Sequence, residues 1–319
     1  MPNAMFQNIP FHPDQASSIA RSVDQLHFVI TGITLFFTFL IFSTICYFMI
    51  KYRRRSRDER PANIEGSLPL EIAWTLIPTM ICAGLFIWAS SQYFANAKAP
   101  DGAIEVFVTG RQWMWKVQHP EGQSEINELH VPLGRPVKLT ITSEDVIHDF
   151  FIPAFRVKKD AVPGRYTSLW FTATETGRFH LFCAQYCGAF HAGMEGWVIV
   201  MEPNEYERWL NSGASGETLE AAGQRLFQER GCATCHVEAG GGRGPSLRGV
   251  FGHPVRLANG LTAAVDESYL REAILTPNSH PVAGYPPIMP AFQGQLDEEQ
   301  ILDLIAYIRS LRNEGEAQP

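Results

Sequence analysis

Charge is missing from two long stretches of this 319-residue chain: residues 28–50 and 72–97 contain no Asp, Glu, Lys or Arg. Each exceeds the roughly 20 apolar residues that a helix needs to cross a bilayer, which argues against an ordinary soluble protein. Cysteine is scarce too, six residues in all, and none is left over for a disulfide framework. Four of the six sit in two compact motifs. Cys46 and Cys82 lie inside the apolar stretches, where they read as inert, buried small hydrophobes. There is no internal repeat. The first apolar stretch does not read as a cleaved leader, because it starts late, runs long and lacks both the short basic flank and a small-residue cleavage site.

The charge that is present is unevenly placed. Six basic residues crowd into residues 51–60, between the two apolar stretches. By the positive-inside rule this loop is cytoplasmic, so the N-terminus and everything after about residue 98 lie on the outer side of the membrane. Residues 1–99 hold 8 basic and 6 acidic side chains, a net +2; residues 100–319 hold 18 basic and 27 acidic, a net −9. An acidic exterior argues against nucleic acid as a partner and suits a basic soluble donor.

The pattern divides the chain into five parts. Residues 1–25 form an external arm, and 26–98 a transmembrane helical hairpin with a basic cytoplasmic loop. Residues 99–203 carry short β-rich runs at 104–108, 137–142, 166–171 and 197–200, punctuated by Gly and Pro as in a sandwich or barrel. Residues 204–216 are a linker, Gly/Ser-rich towards its end, with a short helix at 206–210. Residues 217–319 read as helical, with helices at 219–229, 268–275 and 297–311. In the last of these Ile301, Leu304, Ile305 and Ile308 fall at i, i+3, i+4 and i+7. The expected fold class is therefore a multidomain membrane protein: a two-helix hairpin, an all-β sandwich and an all-α domain.

Two motifs carry chemistry. Cys183, Cys187, His191 and Met194 place two thiols, an imidazole and a thioether within twelve residues, the soft donors that select copper, zinc or iron–sulfur. A single blue-copper site would leave one thiolate unexplained. Two bridging thiolates can hold two coppers if a second His arrives from elsewhere, and His148 is the candidate. Taken alone, the Cys-x-x-x-Cys spacing also fits a zinc site or a redox pair. The second motif, Cys232-Ala233-Thr234-Cys235-His236, is the pattern for covalent attachment of a c-type haem. An axial Met opposite His236 raises the potential of such a haem, and Met289 lies 53 residues on, between two helices. Neither motif supplies a nucleophile or a general base, so the chemistry is electron transfer. His119, His130, His180 and His253 show no partner pattern and read as structural or surface residues.

Residues 144–201 resemble the copper domain of cytochrome c oxidase subunit II, which holds a dinuclear centre, CuA, on a cupredoxin fold. The resemblance implies that Cys183 and Cys187 bridge the metals, that His148 and His191 bind one copper each, and that Met194 and the backbone carbonyl of Gln185 are weak axial ligands. Many members have Glu at this last position and direct its side chain towards a magnesium ion at the subunit I interface; Gln185 keeps the backbone ligand but not the carboxylate, which leaves the magnesium site open. The resemblance extends to Gln112-Trp113-Met114-Trp115, where it makes Trp113 the electron inlet, and to the segment 70–78, where it puts Glu71 at the mouth of a proton path into subunit I. Residues 244–249 resemble class I cytochromes c, which use the carbonyl of a Pro, here Pro245, to support the proximal His. Together these features resemble subunit II of a caa-type cytochrome c oxidase, with a cytochrome c fused behind the CuA domain. The implied function is the inlet of a proton-pumping oxidase: from an external donor (cytochrome c or another respiratory complex) to haem c, to CuA and on to subunit I, where oxygen is reduced to water. The implied partners are subunit I, other oxidase subunits and membrane lipid. A copper-delivery protein would have no use for the haem or for Trp113, and a quinol-oxidising subunit would lack the copper ligands.

Overall fold

The computed structural model describes residues 13–60, 66–212, 217–237 and 240–311. They fall into two compact units, residues 18–98 and the remainder.

The smaller unit is the helical hairpin. Helix α1 spans Ala20–Lys51 and α2 spans Leu68–Asn96. At 1.5 Å per residue both are longer than the hydrocarbon core of a bilayer. Large apolar side chains such as Phe36, Phe39, Phe42, Phe86 and Ile87 are exposed along them, the surface expected of helices that face lipid. Cys82, expected to be buried, is exposed on this apolar exterior, and Cys46 is half-buried. Within the helices the hydroxyls of Thr34, Thr44 and Thr79 donate to the carbonyl four residues back, so these polar groups are satisfied without water. Glu71 lies in the first turn of α2, where the helix N-terminus favours negative charge. Helix α1 begins six residues before the hairpin expected from the sequence.

The larger unit contains a sandwich of two five-stranded sheets. The strands are β1 (Ile104–Arg111), β2 (Met114–Gln118), β3 (Ser124–Ile126), β4 (Glu128–Pro132), β5 (Pro136–Ser143), β6 (His148–Ile152), β7 (Val157–Ala161), β8 (Thr167–Thr172), β9 (Gly177–Cys183) and β10 (Glu195–Met201). One sheet runs β3-β2-β1-β5-β8 and the other β4-β10-β9-β6-β7. Pairings β1–β5 and β4–β10 are parallel, and the remaining ladders antiparallel. Alternate residues meet between the sheets, including Val106, Val108, Trp115, Leu129, Phe150 and Val198, all fully buried. Strand β1 departs from alternation: Val106 to Gly110 are buried without a break, because its outer face is covered as well.

What covers it is the helical part of the same unit. Helix α3 (Pro203–Ser212) follows β10. Helices α4 (Leu219–Glu229), α5 (Glu267–Leu275) and α6 (Glu298–Ser310) surround an apolar core that includes Phe227, Leu270, Ile274, Ile301, Leu304, Ile305 and Ile308. A two-stranded hairpin, β11 (Pro254–Arg256) with β12 (Thr262–Ala264), is added to the expected helices. The starts of α4, α5 and α6 are capped: Thr218, Asp266 and Asp297 accept from Ala221, Tyr269 and Gln300, the last in a reciprocal capping box. Helices α4 and α6 cross at Gly223, where a Cβ would lie 2.0 Å from the carbonyl oxygen of Asp303. Gly223→Ala is therefore expected to destabilise the helical domain by about 1–3 kcal/mol through overpacking, read as an earlier loss of helical circular dichroism in a urea titration.

Candidate copper and haem sites

Strand β9 ends at Cys183, and the loop that returns to β10 carries Cys187, His191 and Met194; His148 opens the neighbouring strand β6. The strand order thus brings the sequence-distant histidine to the thiol loop. Cys183 Sγ lies 3.7 Å from Cys187 Sγ, too far for a disulfide. His148 Nδ1 is 3.9 Å from Cys183 Sγ, and His191 Nδ1 is 3.5 Å from Cys187 Sγ. Met194 Sδ lies 3.9 Å from Cys187 Sγ, and the Gln185 carbonyl oxygen 3.2 Å from Cys183 Sγ. The ligand atoms of His148, Cys183 and Cys187 lie within 4.8 Å of one another. All six groups expected at the copper pair therefore converge. The donors fit the metal: soft sulfur and imidazole nitrogen around a buried pair of thiols.

Residues around the site fix this geometry. Asp145 Oδ1 is 2.9 Å from His148 Nε2, which leaves Nδ1 turned to the sulfurs, and Asp145 Oδ2 accepts from the Gln112 backbone N–H at 2.8 Å. Such an outer partner sets the tautomer and orientation of a metal-binding histidine. Gly110 is required beneath the ring, because a Cβ there would lie 2.9 Å from His148 Cδ2. The Cys187 carbonyl accepts from Gln112 Nε2 at 2.8 Å and from the Trp113 indole at 3.3 Å, so Trp113 touches the backbone of a proposed copper ligand. Trp115 is fully buried and packs on His148 and Phe150. Burial pushes both thiols up. At Cys183 the hydrogen bond with His148 and backbone donors outweigh this and bring it down to about 6, whereas at Cys187 the neighbouring Cys183 adds to burial.

In the helical domain a single turn of 3-10 helix, Cys232–Thr234, follows α4 and turns both cysteines and His236 into one cavity of about 420 Å³. Its walls include Phe227, Val255, Ile274 and Ile308, and Met289 lines it as well. His236 Nδ1 bonds the Pro245 carbonyl at 2.8 Å, which leaves Nε2 for iron. A Cβ on Gly244 would lie 2.9 Å from the His236 ring, so that glycine lets the supporting loop approach. Apolar walls, two thiols, an oriented imidazole and a thioether fit a covalently bound haem.

Two features have no counterpart in the sequence reading. Asp145 could have been found three residues before His148. The other is the cluster around Glu125: His119 Nε2 bonds it at 3.0 Å, and the His130 ring and backbone N–H bond it too. Tyr206 and Trp209 of α3 pack against these histidines. Burial alone would raise the Glu125 carboxyl, but the hydrogen bonds from His119 and His130 bring it down to about 2.

Three family models match successive parts of the chain. Residues 4–89 match the cytochrome c oxidase subunit II transmembrane domain, 122–202 the subunit II periplasmic domain, and 220–312 cytochrome c. Cytochrome c oxidase subunit 2 of Alkalihalophilus pseudofirmus is 32 % identical over 290 residues, covering 86 % of this chain and 82 % of that protein. The protein of the same name from Synechocystis is 32 % identical over 68 % of this chain and 80 % of its own length. Among solved structures, the periplasmic domain of subunit II of cytochrome oxidase from Bradyrhizobium japonicum is 32 % identical; it covers 36 % of this chain and 96 % of that one, with a TM-score of 0.35. Fold, sites and matches define a membrane protein of respiratory electron transport that carries copper and haem c. The chain belongs to the cytochrome c oxidase subunit II family, as subunit II of a haem-copper oxidase with a cytochrome c domain fused at its C-terminal end.

The sites generate two expectations. Met289→Ala should abolish the Met–iron charge-transfer absorption of the haem while the copper signal stays; an unchanged band would remove Met289 from the axial position. The Glu125 carboxylate, held below its unfolded value, contributes stability that is full above about pH 4.5 and is lost as pH falls towards about 2. Glu125→Gln should flatten stability over that window, measured by denaturant unfolding at several pH values.

Proposed function

We propose that the chain is the electron inlet of its oxidase, from an external donor to haem c, then to CuA and on to subunit I. The observation that carries this reading is the convergence of two thiols, two imidazole Nδ1 atoms, a thioether and a carbonyl in one loop-and-strand site. When bound, the copper pair and the haem supply one-electron acceptor and donor chemistry. The residues hold and shield them. Cys183, Cys187, His148, His191, Met194 and the Gln185 carbonyl would hold the copper; Cys232 and Cys235 would anchor the haem covalently, and His236 and Met289 would serve its iron. His148, Cys183, Cys187 and Met194 are buried, which keeps water from the thiolates and limits rearrangement on transfer.

Trp113, bonded to the Cys187 carbonyl, is the contact point for incoming electrons. Around the loop Ile147, Tyr186 and Phe190 are exposed, an apolar apron suited to a partner subunit of the oxidase. Glu71 stands at the membrane edge as the mouth of a proton path in subunit I. The basic loop at 51–60 lies in the cytoplasm and both metal domains outside, against a lipid bilayer crossed by α1 and α2. The donor is a cytochrome c or another respiratory complex. Magnesium at the subunit I interface would rely on a partner's residues, because Gln185 offers no carboxylate.

Copper and iron content with electron paramagnetic resonance of the purified chain tests this reading. The expected result is two coppers per haem with one unpaired electron spread over both. Cys187→Ser should lose the delocalised signal and leave the haem spectrum intact. One copper per haem with a mononuclear spectrum in the native chain would overturn the assignment.

A further inference from the structure

The Gly/Ser-rich end of the linker suggests a swinging haem domain, yet the haem domain is seated on the copper domain through α6, which has two working faces. Ile301, Leu304, Ile305 and Ile308 face the haem-domain core. Glu299, Leu302, Ala306 and Arg309, spaced i, i+3, i+7 and i+10, engage the outer face of the sheet containing β1. Leu302 is 1 % exposed and forms a separate apolar cluster with Phe107 of β1 and Leu219, flanked by Tyr166 and Ala306.

Charged groups ring this seam. Glu105 of β1 accepts from Lys138 at 2.8 Å, from Thr140 at 3.0 Å and from Arg309 of α6. Glu298 accepts from Tyr166 at 2.8 Å and from Arg271 at 3.0 Å. At the other end Lys116 Nζ lies 3.3 Å from both Glu299 of α6 and Glu144. Glu144 precedes Asp145, the partner of His148, and the strand neighbour of Lys116 is Trp115, whose ring packs on His148. The seam therefore ends at the residues that orient a proposed copper ligand.

We propose that the haem domain delivers its electron to the copper pair from this seated pose, with Leu302, Phe107 and Lys116 as positioning residues for the transfer. The inference rests on the ligand assignment above. The transfer moves one electron from the reduced haem to the oxidised copper pair, with no bond made or broken and no proton moved. A domain swinging on a tether would need no apolar seam, and its α6 would bury one face rather than two.

Leu302→Lys and Phe107→Lys test the seam from its two sides. Each puts an unpaired charge into the seam and leaves the haem-facing residues of α6 and the inward residues of the sandwich in place. The full chain, loaded with haem and copper, is measured by pulsed electron paramagnetic resonance for the haem-to-copper distance distribution and by flash reduction of the haem for the transfer rate. The native chain should give one narrow distance. Both variants should at least double its width and slow transfer fivefold or more, whereas Leu302→Met should keep both native values. Lys116→Met should slow transfer at least twofold, and Lys116→Arg should restore it. Either lysine variant alone suffices if the other fails to fold. A native distribution already broad, or a width unchanged in the folded variants, overturns the proposal. A native chain without a copper-pair signal overturns the ligand assignment itself, and the seated transfer with it.

Discussion

Two thiols held 3.7 Å apart beneath the protein surface are the constraint around which the copper half is arranged. Two thiolates this close repel each other, and the surrounding structure sets how the pair is held. Burial raises them, hydrogen bonding lowers one, and the backbone at both ends of the loop is pinned. The Cys183 N–H donates to the Met194 carbonyl at 3.0 Å, and the Ala184 N–H to Asp149 at 2.9 Å. These bonds use the β9–β10 and β6–β9 ladders, and the ladders rest on the sandwich core. The site is thus a consequence of sheet order: His148 reaches the loop because β6 and β9 are neighbours in the sheet.

The haem half solves a similar problem with less structure. Its cavity is formed by short helices and loops, and its proposed ligands come from two segments more than fifty residues apart. Rigidity comes from caps on each helix, from the close crossing at Gly223 and from the Pro245 carbonyl on His236. Small domains of this kind have little core to spare, and here the haem and the covering sheet both add to it.

Much of this was readable in the sequence. Residue type and spacing picked out most of the side chains that converge at the two sites, the family resemblance added the Gln185 carbonyl, and the three helices of the haem domain start within one residue of where the sequence reading puts them. The β runs at 104–108, 137–142, 166–171 and 197–200 all lie in or overlap β1, β5, β8 and β10. Pairwise geometry was not readable. Glu125 with His119 and His130 looked like unrelated polar residues, because β2–β3 and β3–β4 turns bring them together only in the fold. The second face of α6, at Leu302 and Ala306, was not read from the sequence, where only the Ile301, Leu304, Ile305 and Ile308 face was picked out. A helix with apolar residues on two sides is buried on two sides, but nothing in the sequence says against what.

That strand β1 is covered on both faces has an implication for the molecule's architecture. A domain boundary drawn at the linker does not coincide with a boundary of packing. A copper domain cut free at residue 203 would bare Phe107 and leave Glu105 facing solvent with Arg309 gone. The two metal domains pack as one compact unit in which the haem segment covers the copper sandwich, so exchanging either domain for a relative's requires matching the outer face of a sheet as well as the chemistry of a site.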